Sequence, residues 1–249
     1  MAVVGLDPGR GELTLGVAEM RVALELLERP AGDASLTDEE DRLEVALEEA
    51  GVVEDGRLLP FAARVLALAA APKLTIELET FLALEARRDF VWADERTAVV
   101  AESGPGDQLR MRPVELGLLP IELTRLTGLG PRESVGESDL RVPAEALEVV
   151  AGAVMAGVEP TDAALDPDDL ERLADLLAHR RSSWRARSVW HEVDGPRDSA
   201  FAVFDGGTRG YWLTHHEGEG DDRMVVLEPV KPSVVWSRMM DLFPGGETA

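Results

Sequence analysis

The chain has 249 residues, with 48 Asp and Glu against 25 Lys and Arg, for a net charge of −23. Affinity for nucleic acid comes from clustered Lys and Arg that displace counterions, so a chain this acidic points to proteins or small molecules as partners. Cysteine is absent, which removes disulfides, thiolate metal sites and thiol nucleophiles, while a hydrophobic content of 45% is enough to bury a core.

The start of the chain carries Asp7 and Glu12 and no long apolar run, so it does not read as a secretory signal and predicts a cytoplasmic protein. The most apolar windows, 58–72 and 147–158, fall short of the roughly 20 residues a membrane helix needs. Apolar residues at helical spacing predict a helix over 15–27, stopped by Pro30. Thr37 with Glu40 three residues on is a capping box that opens a second helix, which Gly51 stops, and a third covers 59–70. From Leu74 the period falls to two. Leu74, Ile76 and Leu78 alternate with Thr75, Glu77 and Glu79, which predicts a strand with one wet face. Short β-prone runs over 90–93, 97–102 and 108–113 continue it as a meander, with turns at 94–96 and 103–107, and a helix over 119–126 ends at Gly128. Residues 128–139, rich in Gly, Ser and Glu, read as a linker.

Beyond it an apolar helix covers 143–156, and Asp166 caps another that has Pro167 in its first turn and runs to about His179. An alternating strand over 184–193 follows. A hairpin pairs 199–204 with 210–215, an acidic loop fills 217–222, a strand spans 224–229, and a helix over 233–242 closes the chain.

The second half thus repeats the order of the first. Leu43-Glu44-Val45 matches Leu147-Glu148-Val149, Pro113-Val114 matches Pro229-Val230, and Leu119, Leu123 and Leu126 match Val235, Met239 and Leu242, with an offset that widens as loop insertions in the second copy require. The expected architecture is one domain over 1–249 made of two pseudo-symmetric halves, 13–128 and 140–243. It is an α+β fold of mixed α and β elements, a quasi-two-fold duplicated unit in which two meanders join into a central antiparallel β-sheet flanked by helical bundles.

All four histidines, His179, His191, His215 and His216, lie in the second half. The run 215–222 offers nitrogen and oxygen ligands, but adjacent strand residues point to opposite faces, so it reads as an acidic hairpin loop and not a metal site. The glycines at 5–11 and 206–210 lack a phosphate loop's Lys-Ser/Thr ending, and no Gly-x-Ser-x-Gly elbow occurs. No catalytic residue, cofactor or metal is therefore nominated.

Two features carry more. Arg180, Arg181, Arg185 and Arg187 form a basic cluster that is either neutralised by the chain's own acids or receives an acidic patch on a partner. Trp184 and Trp190 share the opposite strand face, with Trp92 on a strand of the other half; such aromatics are core where the face is covered and anchors where it is open. The candidate partner-binding residues are Trp92, Trp184, Arg185, Arg187 and Trp190, with the apolar helix 144–156 as a wall.

Residues 201–205, then Thr208-Arg209-Gly210-Tyr211-Trp212, then 225–229 and the helix 233–242 resemble the strand, Gly-Arg-Tyr turn, strand, Pro and terminal helix of the EspG-type secretion-associated chaperones of actinobacterial type VII (ESX) secretion systems. Residues 36–51, 59–72 and 98–126 are similar too, so the resemblance runs from about Leu13 to Phe243. It implies a quasi-two-fold fold with a central antiparallel sheet and helical bundles. It also implies a cytosolic, non-enzymatic chaperone that binds PE–PPE-type substrate dimers at an aggregation-prone tip, keeps them soluble and hands them to the secretion machinery. The connection 94–96 is shorter than the partner-touching loop of many members, and the turn reads Arg-Gly-Tyr. These departures leave another small helical secretion substrate as an alternative partner, and monomer or homodimer stays open. The competing readings are a hydrolase or metal-dependent enzyme with its site in the second half, which the missing motifs oppose, and a winged-helix regulator, which the charge opposes.

Overall fold

The computed structural model describes residues 4–28, 38–82, 85–133, 138–160, 164–192, 194–220 and 223–245. Among them are seven α-helices and a large sheet of eleven strands, with two further strands forming a small hairpin. The chain divides into two units, Met1–Glu77 with Arg88–Glu122 and Val189–Arg197, and Leu78–Arg87 with Leu123–Ser188 and Asp198–Ala249.

In the first unit, β1 (Gly5–Asp7) and β2 (Glu12–Gly16) form an antiparallel pair, Leu6 opposite Leu13. The Asp7 carboxylate accepts the Arg10 N–H at 3.1 Å and shapes the turn between them. This corrects the helix expected over 15–27: Leu13 and Leu15 sit two residues apart on the buried side of a strand, Leu13 opposite Met111, and helix α1 begins only at Val17 and ends at Glu28. Helix α2 (Asp38–Glu49) follows, with Gly51 in the left-handed region just past its end; the expected cap Thr37 lies outside the described residues. The hairpin of β3 (Val53–Glu54) and β4 (Arg57–Leu58) leads to α3 (Pro60–Ala70), which opens on the proline. Proline is tolerated there because the first helical N–H has no partner within the helix.

The period-two run becomes β5 (Leu74–Phe81), in which Leu74, Ile76 and Leu78 are buried. Strands β6 (Ala86–Ala93), β7 (Ala98–Gly104) and β8 (Gln108–Val114) make the expected meander, antiparallel with Phe90 opposite Ala101 and Val99 opposite Pro113. The β6–β7 turn is built by Asp94, whose carboxylate accepts the N–H groups of Arg96 at 2.7 Å and Thr97 at 2.9 Å. Those bonds hold its pKa below the ordinary carboxylate value. Leu13, Leu15, Val22, Leu47, Leu66, Trp92 and Met111 form this unit's core.

Helix α4 (Leu119–Thr127) is followed by β9 (Leu140–Pro143), α5 (Ala144–Ala156), α6 (Pro167–Ala178), β10 (Ser182–Glu192), β11 (Gly195–Asp205), β12 (Tyr211–Glu217), β13 (Met224–Val230) and α7 (Pro232–Met240), all in the second unit except the adjoining ends of β10 and β11. Strand β9 was not expected, and the helix expected from Pro143 begins one residue later, at Ala144; Leu140 and Val142 are buried against β13, with Val225 opposite Val142. Asp166 caps α6 by accepting the Asp168 N–H at 3.0 Å. Leu140, Val142, Leu173, Leu176, Phe204, Trp212 and Leu227 form the core under α5 and α6. The large sheet has the order β1-β2-β8-β7-β6-β5-β10-β11-β12-β13-β9.

The turn between β11 and β12 is seated against the end of α6. Gly207 has φ of 62°, and a Cβ there would lie 3.0 Å from the His179 carbonyl oxygen, so only glycine fits. The Trp212 indole N–H then donates to the Arg209 carbonyl at 2.8 Å. The stretch expected as a linker is tied down over its described first half. The Gly130 N–H donates to the Tyr211 hydroxyl at 3.0 Å, and that hydroxyl donates to the Gly130 carbonyl at 3.3 Å. Arg132 donates from Nε and Nη2 to the two Asp205 oxygens at 3.0 and 2.8 Å, with its guanidinium 5.3 Å from the Tyr211 ring centroid.

Burial, foremost, pushes the Tyr211 pKa above the ordinary value of 10.0. The native state therefore holds the phenol proton more tightly than the unfolded chain. The resulting stabilisation is complete below about pH 10 and is lost as the pH rises through the folded-state value. Tyr211 is the chain's single tyrosine, so tyrosinate absorbance reports it alone. The expected result is a midpoint above that of the same chain in denaturant; an equal or lower midpoint would refute the burial account.

Candidate partner-binding surface

The alternation of β10 separates the candidate residues. Ser182, Trp184, Ala186 and Ser188 turn inward, and Arg185, Arg187 and His191 turn outward. Trp184 is 1% exposed and meets the Phe201 ring edge-on, with centroids 5.4 Å apart. Trp92 is also buried, stacked on Phe90 at 5.7 Å in the core of the first unit. Neither indole presents a free face. Trp190 keeps part of its surface open and donates its N–H to Glu192 at 3.0 Å. Arg185 is paired with Glu79, and Arg187 lies 3.8 Å from Asp198. The two arginines share a face, as their spacing requires, and both meet acids of their own chain. Pleat alternation puts Asp198 on the side of β11 that also carries Phe204, the side on which α5 and α6 pack.

Two apolar surfaces escaped the sequence reading as anchors. At the end of β5, Phe81 and Leu82 are exposed, with the Leu82 N–H donating to the Glu85 carbonyl at 2.8 Å. On α5, Ala146 and Val150 are buried while Val149 is 45% and Met155 64% exposed, and Val158 just beyond the helix is 58% exposed. Gly157 ends the helix in the left-handed region, its N–H reaching the Ala153 and Val154 carbonyls. The sequence did signal this surface. Helix α5 is apolar nearly all round, yet a helix on one layer can bury only one side.

The histidine run carries no comparable geometry. His215 Nε2 lies 3.6 Å from Glu217, and Asp221 and Asp222 fall outside the described residues. Burial and the neighbouring Arg223 and His215 hold the His216 pKa below its ordinary value. Among the described residues no three His, Cys, Asp or Glu side chains gather as a metal group would require. The open cleft of about 430 Å³ lined by Glu171, Arg172, Asp175, Leu176, Arg209 and Trp212 has Arg209 bound to Asp175 at 2.7 Å. Among the described residues no helix is long and apolar enough to cross a membrane.

A model of the EspG family matches residues 13–238. The chain belongs to the EspG family. No curated protein matches it. Among solved structures, the Mycobacterium tuberculosis type VII secretion system chaperone EspG5 in complex with the PE25-PPE41 dimer is similar, with a TM-score of 0.58 and 15% identity over 95% of this chain and 98% of that one. At that identity the likeness establishes a shared fold, a mixed α/β architecture around a large antiparallel sheet. In this EspG-family chain the exposed residues of α5 belong to that shared fold.

Proposed function

We propose that this EspG-family chain is a cytosolic, non-enzymatic chaperone of type VII secretion that binds a PE–PPE-type dimer, keeps it soluble and delivers it for export. The observation that carries the reading is the uncovered apolar face of α5, on a fold whose solved relative is a chaperone in complex with a PE25-PPE41 dimer. A client with an aggregation-prone tip needs an exposed apolar seat, because a few desolvated residues supply most of the affinity. Within the second unit, Val149, Met155 and Val158 act as contacts, and Arg185 and Arg187 orient the approach from their paired positions. Trp190 is assigned a separate, smaller contact, while Trp92 and Trp184 are buried core residues and not contacts. We also propose that the chain is one domain of two duplicated halves, 13–128 and 140–243, in which Pro113 superposes on Pro229 and Leu126 on Leu242.

The test is co-expression with a PE–PPE dimer of the same host. The dimer is expected to stay soluble and to copurify with the chain, and to precipitate without it. A dimer equally soluble alone, or one that never copurifies, would overturn the proposal.

A further inference from the structure

Helix α5 contains a glycine that its own chain does not require. Gly152 lies mid-helix, where glycine is less favourable than any residue but proline. It is not among the glycines with positive φ, and among the described residues a Cβ at this position would meet nothing within 4 Å. Neither backbone conformation nor packing among the described residues accounts for it. Its position on the helix does suggest a use. Gly152 is exposed between Val149, one turn before it, and Met155, one turn after it, so it notches the centre of the open apolar face. A notch of this kind lets a second helix approach at the short end of helix–helix distances, about 8 Å between axes.

The charge around the notch is one-sided. Glu145 and Glu148 are exposed on α5, Glu159 is exposed just after it, and between Arg141 and Arg172 the chain holds eight acids and no Lys, Arg or His. We propose that α5 seats a helix of the secretion substrate, its axis passing close over Gly152, with an apolar ridge flanked by Lys and Arg. This rests on the chaperone function proposed above and adds to it the chemistry of the segment the chaperone recognises. The apolar ridge supplies affinity through Val149, Met155 and Val158. The basic flanks supply register and on-rate against the glutamates.

The experiment uses the full chain co-expressed with a PE–PPE dimer of its host, reading the melting temperature of the free chain and the affinity for the dimer. Gly152→Ala is expected to raise the melting temperature by about 2–4 °C while weakening capture. Gly152→Leu is expected to fold and to weaken capture at least about tenfold, since a bulky side chain holds the partner axis away. Glu145→Lys with Glu148→Lys is expected to weaken capture at low salt and to flatten its salt dependence. Undiminished capture by folded Gly152→Leu, or by the double lysine variant at low salt, overturns the proposal. So does a concentration-dependent dimer of the chain itself that Gly152→Leu abolishes, which would give the face to a second copy. Loss of capture by the unmodified chain would count against the chaperone function, whereas normal wild-type capture with insensitive variants counts against this seat alone.

Discussion

Arg132→Ala is expected to destabilise the fold by about 3–5 kcal/mol, the cost of leaving a buried carboxylate without its cation. The Arg132 side chain is 14% exposed and that of Asp205 4%, so solvent can replace little of the lost pairing. Asp205 keeps the Gly207 N–H at 2.9 Å, one neutral donor in place of a bidentate guanidinium. The Tyr211 ring also loses the cation over its face. Urea unfolding of Arg132→Ala, Asp205→Ala and the double variant would measure this, with the double variant expected to recover part of the loss because the uncompensated charge is gone. A single-variant cost below about 1 kcal/mol would place the pair among ordinary surface bridges.

Trp184→Ala is expected to cost about 3–5 kcal/mol, the range for large-to-small changes of buried aromatics. The indole is enclosed and its edge contact with Phe201 would be lost. Trp184→Phe is expected to cost less because it keeps a ring in that contact. The outcome separates two roles. A partner anchor would lose capture with stability held within about 0.5 kcal/mol, as for other surface substitutions, whereas a core residue loses stability first. Chemical unfolding beside capture of a PE–PPE dimer would decide it.

Much of the element order was legible because the period of apolar residues changes where the backbone changes. The alternation from Leu74, the proline-opened α6 under its Asp166 cap and the meander through Val114 all followed from local pattern. Strands β1, β2 and β9 did not, because three to five residues are too few to show a period of two, and Leu15 and Pro143 adjoin real helices. The β1–β2 turn was visible only as glycines. Long-range pairing was illegible for another reason. Arg132 finds Asp205, and Arg185 finds Glu79, through a sheet order that no local window contains. The arginines were read as a cluster with two fates open, and their acids became identifiable only once β5 lay beside β10. The face of Trp184 followed from alternation, but whether that face is covered depends on packing.

Where the sheet stops also matters. Among the described residues its terminal strands are β1, three residues long, and β9, four residues ending in Pro143, which has no N–H to offer. A protein that holds clients prone to clumping works at high local concentrations of sticky chain, and a long flat border would invite cross-chain strand addition and growth into fibres. Borders this short, one of them closed by a residue that cannot donate, deny such growth a template. If α5 holds the client as proposed, adhesiveness is confined to a helix while the sheet margins stay inert.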